Sequence, residues 1–386
     1  MKVNLNLKNF EYKINLKEKK KLNKFIEKIK KNTFPEFFKS FNKNYKYSYN
    51  NKFLNKYLKF KEINIIGMGG SSLGTKAIYN FLKIKLKKKF NFFENFNLQK
   101  KNNTKALNLI ISKSGNTLET ITNFNTIFYR KSKNIFITEK SNNYLRKLAF
   151  KLKADVIDHK NFIGGRFSVL SEVGMLPAQL MGLNDNKFKK FNDLITNKKF
   201  LNDLIKNVLT IYKLTKLKKN NSVILNYDPY SEDFFKWYQQ LVSESLGKNS
   251  KGIFPIISSM PKDNHSILQL YLSGFNSNFY TFFIVKQNKS YKLDSSLLFD
   301  NFSFLKNKNT FQVLNSQRIA TETIFSKKKI PFRSFYIKKR GEDTLGELFC
   351  FFTLEVILLS HLLKVNPLDQ PEVELIKNET FNILRN

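Results

Sequence analysis

Ile110-Ile111-Ser112-Lys113-Ser114-Gly115-Asn116-Thr117-Leu118-Glu119-Thr120 decides how this chain is read, because an apolar run stops there at a string of small hydroxylated residues. The preceding Ala106-Leu-Asn-Leu-Ile-Ile111 is short and apolar, as buried parallel strands are, and from Thr117 onward Leu118, Ile121, Phe124, Ile127 and Phe128 recur at helical spacing. Strand, tight loop, helix is the implied order. A loop so placed turns backbone N–H groups and the positive end of a helix dipole toward one point, and Ser112, Ser114 and Thr117 add hydroxyls there. Two readings fit the local spacing: a cradle for a phosphate monoester, or a Ser-Gly-Asn turn followed by a threonine N-cap.

A second unit of the same kind comes earlier. Glu62-Ile-Asn-Ile-Ile-Gly67 runs into Gly67-Met-Gly-Gly-Ser-Ser-Leu-Gly74 and a helix through Ile78, Phe81 and Leu82. Glycines such as Gly70 let a backbone approach a ligand, and Ser71 can donate to it. The third glycine falls at 74 rather than 72 and no acidic residue closes a clear following strand, so a dinucleotide cofactor is not expected. Asn134-Ile-Phe-Ile-Thr138 and Asp155-Val-Ile-Asp158 read as further strands. Alternating β and α units build a parallel sheet with right-handed crossovers, and both glycine/serine loops then lie at its carboxyl edge, where such sheets bind ligands. That convergence favours the phosphate site.

Beyond this sheet, the two glycines of Asn161-Phe-Ile-Gly-Gly-Arg-Phe-Ser168 let Arg166 reach inward, the plain alternative being a pair with a surface carboxylate. A long helix over 187–217 leads to a second sheet opened by Ser222-Val-Ile-Leu-Asn226. The helix over 230–247 sets Gln240 and Glu244 one turn apart on one face, by itself an ordinary exposed pair. Ser258-Ser-Met-Pro-Lys-Asp-Asn264 delivers His265 to a helix start, where a lone histidine more often caps or packs. Phe279–Val285 is a strand, and the helix over 346–363 is apolar nearly all round, which means burial in the core or at a subunit contact. Asn366-Pro-Leu-Asp-Gln-Pro-Glu-Val-Glu-Leu-Ile-Lys377 is a proline-punctuated loop into a last short helix. The implied organisation is an N-terminal helical wrap over 1–60, a first domain over 61–190 with the phosphate loops, a second over 191–365 with Glu244 and His265, and a C-terminal segment over 366–386 with Lys377.

Composition narrows the function. A chain of 386 residues exceeds what one core usually supports. The formal charge of +38, from 68 Lys+Arg against 30 Asp+Glu, would ordinarily raise nucleic acid or an anionic membrane as partner. Here lysine is scattered through almost every segment beside abundant Asn, Phe and Ile, as in A/T-rich coding, so neither partner is expected and the runs at 17–22, 83–89 and 327–329 read as solvated helix faces or loops. One cysteine, Cys350, excludes a disulfide framework and a cysteine-based metal cluster, and His159, His265 and His361 lie too far apart to read as metal ligands. The stretch from Met1 to Lys8 lacks a continuous apolar region and no window approaches the ~18 apolar residues of a membrane span, so a cytoplasmic protein is expected.

In this order, Gly-Met-Gly-Gly-Ser-Ser-Leu-Gly (67–74), Ser-Lys-Ser-Gly-Asn-Thr-Leu-Glu-Thr (112–120), Gly-Gly-Arg-Phe-Ser-Val-Leu-Ser (164–171), Gln-Leu-Val-Ser-Glu-Ser-Leu-Gly-Lys (240–248), Asp-Asn-His-Ser (263–266) and Asp-Gln-Pro-Glu-Val-Glu-Leu-Ile-Lys (369–377) closely resemble the glucose-6-phosphate isomerase family. The resemblance implies an α/β fold of two sugar-isomerase (SIS) domains, each a mainly parallel sheet flanked by helices in a three-layer sandwich. It implies reversible aldose–ketose isomerisation of glucose 6-phosphate and fructose 6-phosphate through ring opening and a cis-enediol(ate), in glycolysis and gluconeogenesis, with no metal or redox cofactor. By the same resemblance Gly70, Ser71, Ser112, Lys113, Ser114 and Thr117 bind the sugar phosphate, Gln240 orients it, Glu244 moves the proton between C2 and C1, Arg166 stabilises the enediolate, and His265 and Lys377 assist ring opening. The chemistry is coherent, since a proton α to a carbonyl is weakly acidic, and its removal needs a base sheltered from water and a cation where negative charge develops. A homodimer sharing its active sites is implied too, with His265 serving the neighbouring subunit. The alternative is a regulatory SIS protein that binds sugar phosphates without catalysis. Two departures stand out: Glu172 where the family usually has proline, and Glu372 where it has glycine beside the lysine motif.

Overall fold

The computed structural model describes residues 3–6, 10, 15–31, 34–96, 105–287 and 290–385. Residues 1, 2, 7 and 8 of the N-terminal stretch discussed above lie outside that set. In chain order the elements are β1 (Val3–Asn6), α1 (Leu16–Lys30), α2 (Asn51–Asn55), β2 (Glu62–Ile66), α3 (Leu73–Leu82), β3 (Lys89–Phe93), β4 (Leu107–Ile111), α4 (Leu118–Ile127), β5 (Lys133–Glu139), α5 (Tyr144–Lys151), β6 (Asp155–His159) and α6 (Glu172–Leu180). They continue with α7 (Phe191–Ile195), α8 (Lys198–Lys216), β7 (Asn221–Asn226), α9 (Glu232–Leu246), β8 (Phe254–Ser259), α10 (Leu268–Ser273), β9 (Asn278–Val285), α11 (Thr310–Lys327), β10 (Phe332–Ile337), α12 (Glu342–Leu363) and α13 (Pro371–Arg385).

Two five-stranded sheets organise the chain, in the orders β3-β2-β4-β5-β6 and β1-β10-β9-β7-β8. All pairings are parallel except that of β1 with β10. Alternate strand residues serve opposite faces: Ile63, Ile65, Leu107 and Leu109 pack with Ile78 and Phe81 of α3, whereas Ile66 and Ile110 pack with Phe124 and Ile127 of α4. Helices therefore cover both faces, and one core runs from the first sheet through α3, α9 and α12 to Phe279, Phe283 and Phe335 of the second. This is the α/β architecture of two mainly parallel, helix-flanked sheets.

Several expectations change in detail. The N-terminal segment holds the expected helix, with Leu22, Phe25, Ile26 and Ile29 buried, but β1 also closes the second sheet as its antiparallel edge. The lysine run over 83–89 ends in a strand, since Lys89 opens β3, and an edge position lets its charge stay in water. The helix expected over 187–217 is broken, because Asn197 accepts from Phe200 N at 2.9 Å and caps α8 afresh. α12 is the one helix among the described residues long and apolar enough to cross a membrane, and 94% of that stretch is buried inside the protein. Its own chain covers it, so it is a core helix and no subunit contact is needed to explain its composition. Glu355 in α12 pairs with Arg333, itself donating to Thr281 Oγ1 at 2.9 Å and Asn207 Oδ1 at 2.8 Å, so the buried charges are compensated.

Candidate functional site

In the first sheet the chain moves outward from β2 to β3, crosses back over β2 to β4 and continues outward through β5 and β6, so the loops after β2 and β4 part at a topological switch point. Those loops are the glycine and serine loops singled out in the sequence. In the serine loop, Ser112 Oγ and Thr117 Oγ1 lie 2.7 Å apart, and Gly115 N donates to Ser112 Oγ at 3.2 Å. Thr117 is the N-cap residue of α4 but makes no side-chain cap bond, leaving its hydroxyl turned to Ser112. Gly115 has φ +67°, and a Cβ there would sit 2.0 Å from Asn143 Oδ1, so only glycine closes this turn. The Oγ of Ser71 makes no hydrogen bond among the described residues. Gly70 meets a different need: a Cβ there would lie 2.1 Å from the carbonyl carbon of Gly165, so its missing side chain lets the glycine loop pack on the segment carrying Arg166. Lys113 Nζ donates to Asn161 O at 2.7 Å, and burial lowers its pKa against the pull of Glu139.

Arg166 is 2% exposed and has an acceptor for every N–H of its guanidinium. Nε donates to Ser245 Oγ at 3.0 Å, Nη1 to Glu244 Oε2 at 3.0 Å and to Gln370, and Nη2 to Asp369 O at 3.1 Å and to Pro367 O. Burial lowers its pKa and the Glu244 carboxylate opposes that shift. Gln240 Nε2 donates to Glu244 Oε1 at 2.8 Å, so both carboxylate oxygens are held, one by each neighbour. Gln240 is wedged against the glycine loop, its Nε2 lying 2.7 Å from where a Cβ on Gly69 would be, and its buried Oε1 has no partner among the described residues. An orphaned buried acceptor beside the Glu244 carboxylate can take a hydrogen bond from a ligand hydroxyl. The C-terminal end of α9 thus stands over the switch point of the first sheet, and the site is built from both sheets.

The C-terminal segment closes the other side. Arg166 grips residues 367–370, and Asp369 is paired with Lys248 at 3.0 Å. Burial would raise the Asp369 pKa, but the hydrogen bond and charge of Lys248 hold it below the usual carboxylate value. A cavity of about 750 Å³ lies among Glu244, Lys248, Asp369 and Gln370, and a second of about 700 Å³ among Ser114, Thr117 and Lys377. Glu372 and Val373 border both. The volumes are in the range of small-molecule sites. Lys377 Nζ pairs with Glu374 Oε1 at 2.6 Å.

His265 is not brought to this place within one chain. It follows the C-terminal end of β8, whereas Glu244 lies near the strand's start, a strand length of roughly 20 Å away. His265 is exposed. Glu172 has a role unconnected with the cavity: fully buried, it accepts from Tyr45 Oη at 2.8 Å and Ser48 N at 2.9 Å and ties the N-terminal segment to α6. Sequence reasoning passed over Gln370 and Ser245. Gln370 stands in the same short motif as Lys377 and Ser245 in that of Gln240 and Glu244, which are usable signals, but only packing shows that both bond to Arg166, 79 positions before Ser245.

A family model described as phosphoglucose isomerase matches residues 38–386. The chain is 32% identical over 357 residues to the glucose-6-phosphate isomerase of Methanocaldococcus jannaschii, covering 85% of this chain and 86% of that protein. It is 29% identical over 351 residues to the glucose-6-phosphate isomerase of Campylobacter jejuni, covering 84% and 85%. Among solved structures, a hypothetical protein from Thermus thermophilus covers 100% of both chains with TM-score 0.82 at 20% identity. A glucose-6-phosphate isomerase from Chlamydia trachomatis superposes with TM-score 0.70 at 19% identity over 86% of this chain and 71% of that one.

Proposed function

The chain belongs to the phosphoglucose isomerase family, and from that premise we propose how its residues divide the work of interconverting glucose 6-phosphate and fructose 6-phosphate. The activity is an aldose–ketose isomerisation, a step of glycolysis. The observation that supports the division best is the Glu244 carboxylate held between Arg166 and Gln240, beside a cavity that shares its wall with the one at the serine loop.

The phosphate sits among Ser112, Ser114 and Thr117 with Ser71 across the switch point, where hydroxyls and the N-terminus of α4 converge. Lys113 supports this loop through Asn161, and Gly70 lets the glycine loop pack on the segment that carries Arg166. With the phosphate anchored there, C1 and C2 of the open-chain sugar reach Glu244. Glu244 takes the C2 proton of the aldose and returns it to C1, while the O2 proton passes to O1, so the carbonyl moves from C1 to C2 with no net redox change. As the proton arrives on Glu244, negative charge leaves its carboxylate and appears on the enediolate. The Arg166 cation stays in place, and Nη1 exchanges a weakened bond to Glu244 for one to the oxyanion. Gln240 orients the substrate with its free Oε1.

Ring opening belongs to His265 and Lys377 in this reading. Lys377 stands across the cavity from Ser114 and Thr117. Because His265 lies at the far end of its own second sheet, it serves a neighbouring copy in a homodimer with shared sites. The exposed apolar side chains Val373, Leu375 and Ile376 on α13 and Leu297, Phe299 and Phe304 after β9 are consistent with such an association. Sugar phosphates do not cross membranes unaided, which supports a cytoplasmic location. A purely regulatory binding role has no use for a base clasped to a buried cation.

Mixing the purified protein with fructose 6-phosphate and following glucose 6-phosphate tests the activity; a folded dimer without turnover overturns it. In the same assay, replacing both Ser112 and Thr117 by alanine is expected to raise KM far more than it lowers kcat.

A further inference from the structure

Between α12 and α13 the chain runs along the wall of the Glu244 cavity as a strap, residues 366–370. Pro367 is buried, but Asn366, Leu368 and Asp369 are exposed, so apolar burial does little to fix the strap. Two of its bonds are internal: Asn366 Nδ2 donates to Asp369 Oδ2 at 2.7 Å, and Leu368 N to Asn366 Oδ1 at 3.1 Å. Among the described residues, the hydrogen bonds that tie it to the body of the protein come from two side chains. Arg166 holds Pro367 O, Asp369 O and Gln370. Lys248 holds Asn366 O and the Asp369 carboxylate, and its Nζ also reaches Ser245 O at 3.4 Å.

The backbone presets Lys248 for this grip. Asn249 and Ser250 have φ +53° and +55°, and Lys251 N donates to Lys248 O at 2.9 Å, so 248–251 is a tight two-residue turn just past the end of α9. The Lys248 side chain is 11% exposed. Burial lowers its pKa and the Asp369 carboxylate opposes that shift.

We infer that Lys248 is a positioning residue for the isomerisation, acting through the strap on the Arg166 guanidinium. The inference rests on the roles given above to Arg166 and Glu244. When Nη1 passes from the Glu244 carboxylate to the developing oxyanion, the plane of the guanidinium has to stay in place. Its remaining N–H groups hold that plane, Nε on Ser245 Oγ and Nη2 on the carbonyls of Pro367 and Asp369. A carbonyl on an exposed loop fixes a cation only as firmly as the loop itself is fixed. Lys248 supplies the second tie: by joining Ser245 O to both ends of the strap it closes a ring of polar contacts through Arg166, the end of α9 and residues 366–369. The hydroxyls that anchor the phosphate belong to the serine loop and stand outside this ring.

The test compares variants of the full-length protein by steady-state kinetics with fructose 6-phosphate. Lys248→Met is expected to lower kcat by about tenfold or more, since a shift of about 1 Å in a reacting group can cost about 10²-fold, and to leave KM within about threefold. Lys248→Arg keeps the charge and the donors and should recover most of that loss. Lys251→Met removes a lysine of the same turn whose Nζ donates to Leu363 O at 3.0 Å, at the end of α12 rather than on the strap, and should leave kcat within about twofold. In an Arg166→Lys background, Lys248→Met should cost less than about twofold more, because its effect passes through a fork already lost. An effect confined to KM, no recovery in Lys248→Arg, an equal loss in Lys251→Met, or losses that multiply independently in the double variant each overturns the assignment. Amide hydrogen exchange reads the strap without turnover: residues 368–370 should exchange faster in Lys248→Met than in the wild-type protein while β4 is unchanged, and unaltered exchange there overturns the tie. A normal kcat in Arg166→Lys overturns the site reading itself, an outcome distinct from a normal kcat in Lys248→Met alone.

Discussion

Arg166 and Glu244 stand 78 positions apart in the chain and meet at 3.0 Å, with the arginine 2% exposed and the glutamate side chain 24% exposed. The cation is fixed and the carboxylate keeps an open side. Lysine at 166 would preserve the charge but not the planar fork that holds Ser245, Gln370 and the carbonyls of 367 and 369 at once. We predict that Arg166→Lys lowers kcat by about 10²–10³-fold, as loss of a positioned oxyanion donor does, with a much smaller change in KM. Steady-state kinetics with fructose 6-phosphate decide it, and a change carried mainly by KM would count against the oxyanion role.

Stability in the first sheet depends on a feature that no site requires. Asn91, Asn64, Asn108 and Asn134 lie side by side on β3, β2, β4 and β5 and pass hydrogen bonds across the sheet: Asn91 Nδ2 to Asn64 Oδ1 at 2.9 Å, Asn64 Nδ2 to Asn108 Oδ1 at 2.8 Å, Asn108 Nδ2 to Asn134 Oδ1 at 2.9 Å. Asn108→Ala strands a donor on Asn64 and an acceptor on Asn134. At about 1–3 kcal/mol for each of the two buried groups left unsatisfied, a loss of roughly 2–6 kcal/mol is expected in denaturant unfolding. A loss under about 0.5 kcal/mol would show that water replaces the missing amide.

The ladder also marks where sequence reading ends. β4 was visible from its apolar run, and the loop behind it from its hydroxyls, because period and composition are local signals. That the asparagine inside the run has partners on both flanking strands depends on register, which no single strand announces. Gln240 and Glu244 could be placed on one face by spacing alone, and they are bonded. Their relation to Arg166, or that of Arg333 to Glu355 and Asn207, exists only once helices from different parts of the chain are packed. β1 was missed for the same reason: its strand character comes from the edge of β10, more than three hundred residues away.

Acid should destabilise the protein through His159. Burial, opposed by a hydrogen bond to the Lys160 carbonyl and reinforced by the charge of Lys113, brings its pKa down from 6.5 to about 4. The folded state thus resists a proton that the unfolded chain accepts, so this contribution is complete above pH 6.5 and is lost as pH falls from there toward 4. At about 1.4 kcal/mol per pH unit the loss is at most roughly 3 kcal/mol. His159→Gln, which keeps a polar group but cannot titrate, should flatten the pH dependence of the unfolding midpoint across this window. An unchanged slope would place the acid sensitivity elsewhere.

The separation of His265 from Glu244 leads to a prediction about subunits. Each chain supplies its own Glu244, Arg166 and serine loop, while its histidine stands at the opposite end of β8. If the histidine opens the ring in the neighbouring copy, Glu244→Gln homodimers lack the base at both sites and His265→Ala homodimers lack the ring-opening group at both. A mixed dimer of the two variants, isolated through different affinity tags, then combines Glu244 of one chain with His265 of the other at one site and has both defects at the second. Its activity on the cyclic substrate should be about half that of the wild-type dimer, far above either parent. If each histidine instead served its own chain, no site in the mixed dimer would be intact and the activity would stay at the level of the parents. An open-chain analogue separates ring opening from proton transfer: His265→Ala should process it at a rate much closer to wild type than it does the cyclic sugar, whereas Glu244→Gln should fail on both.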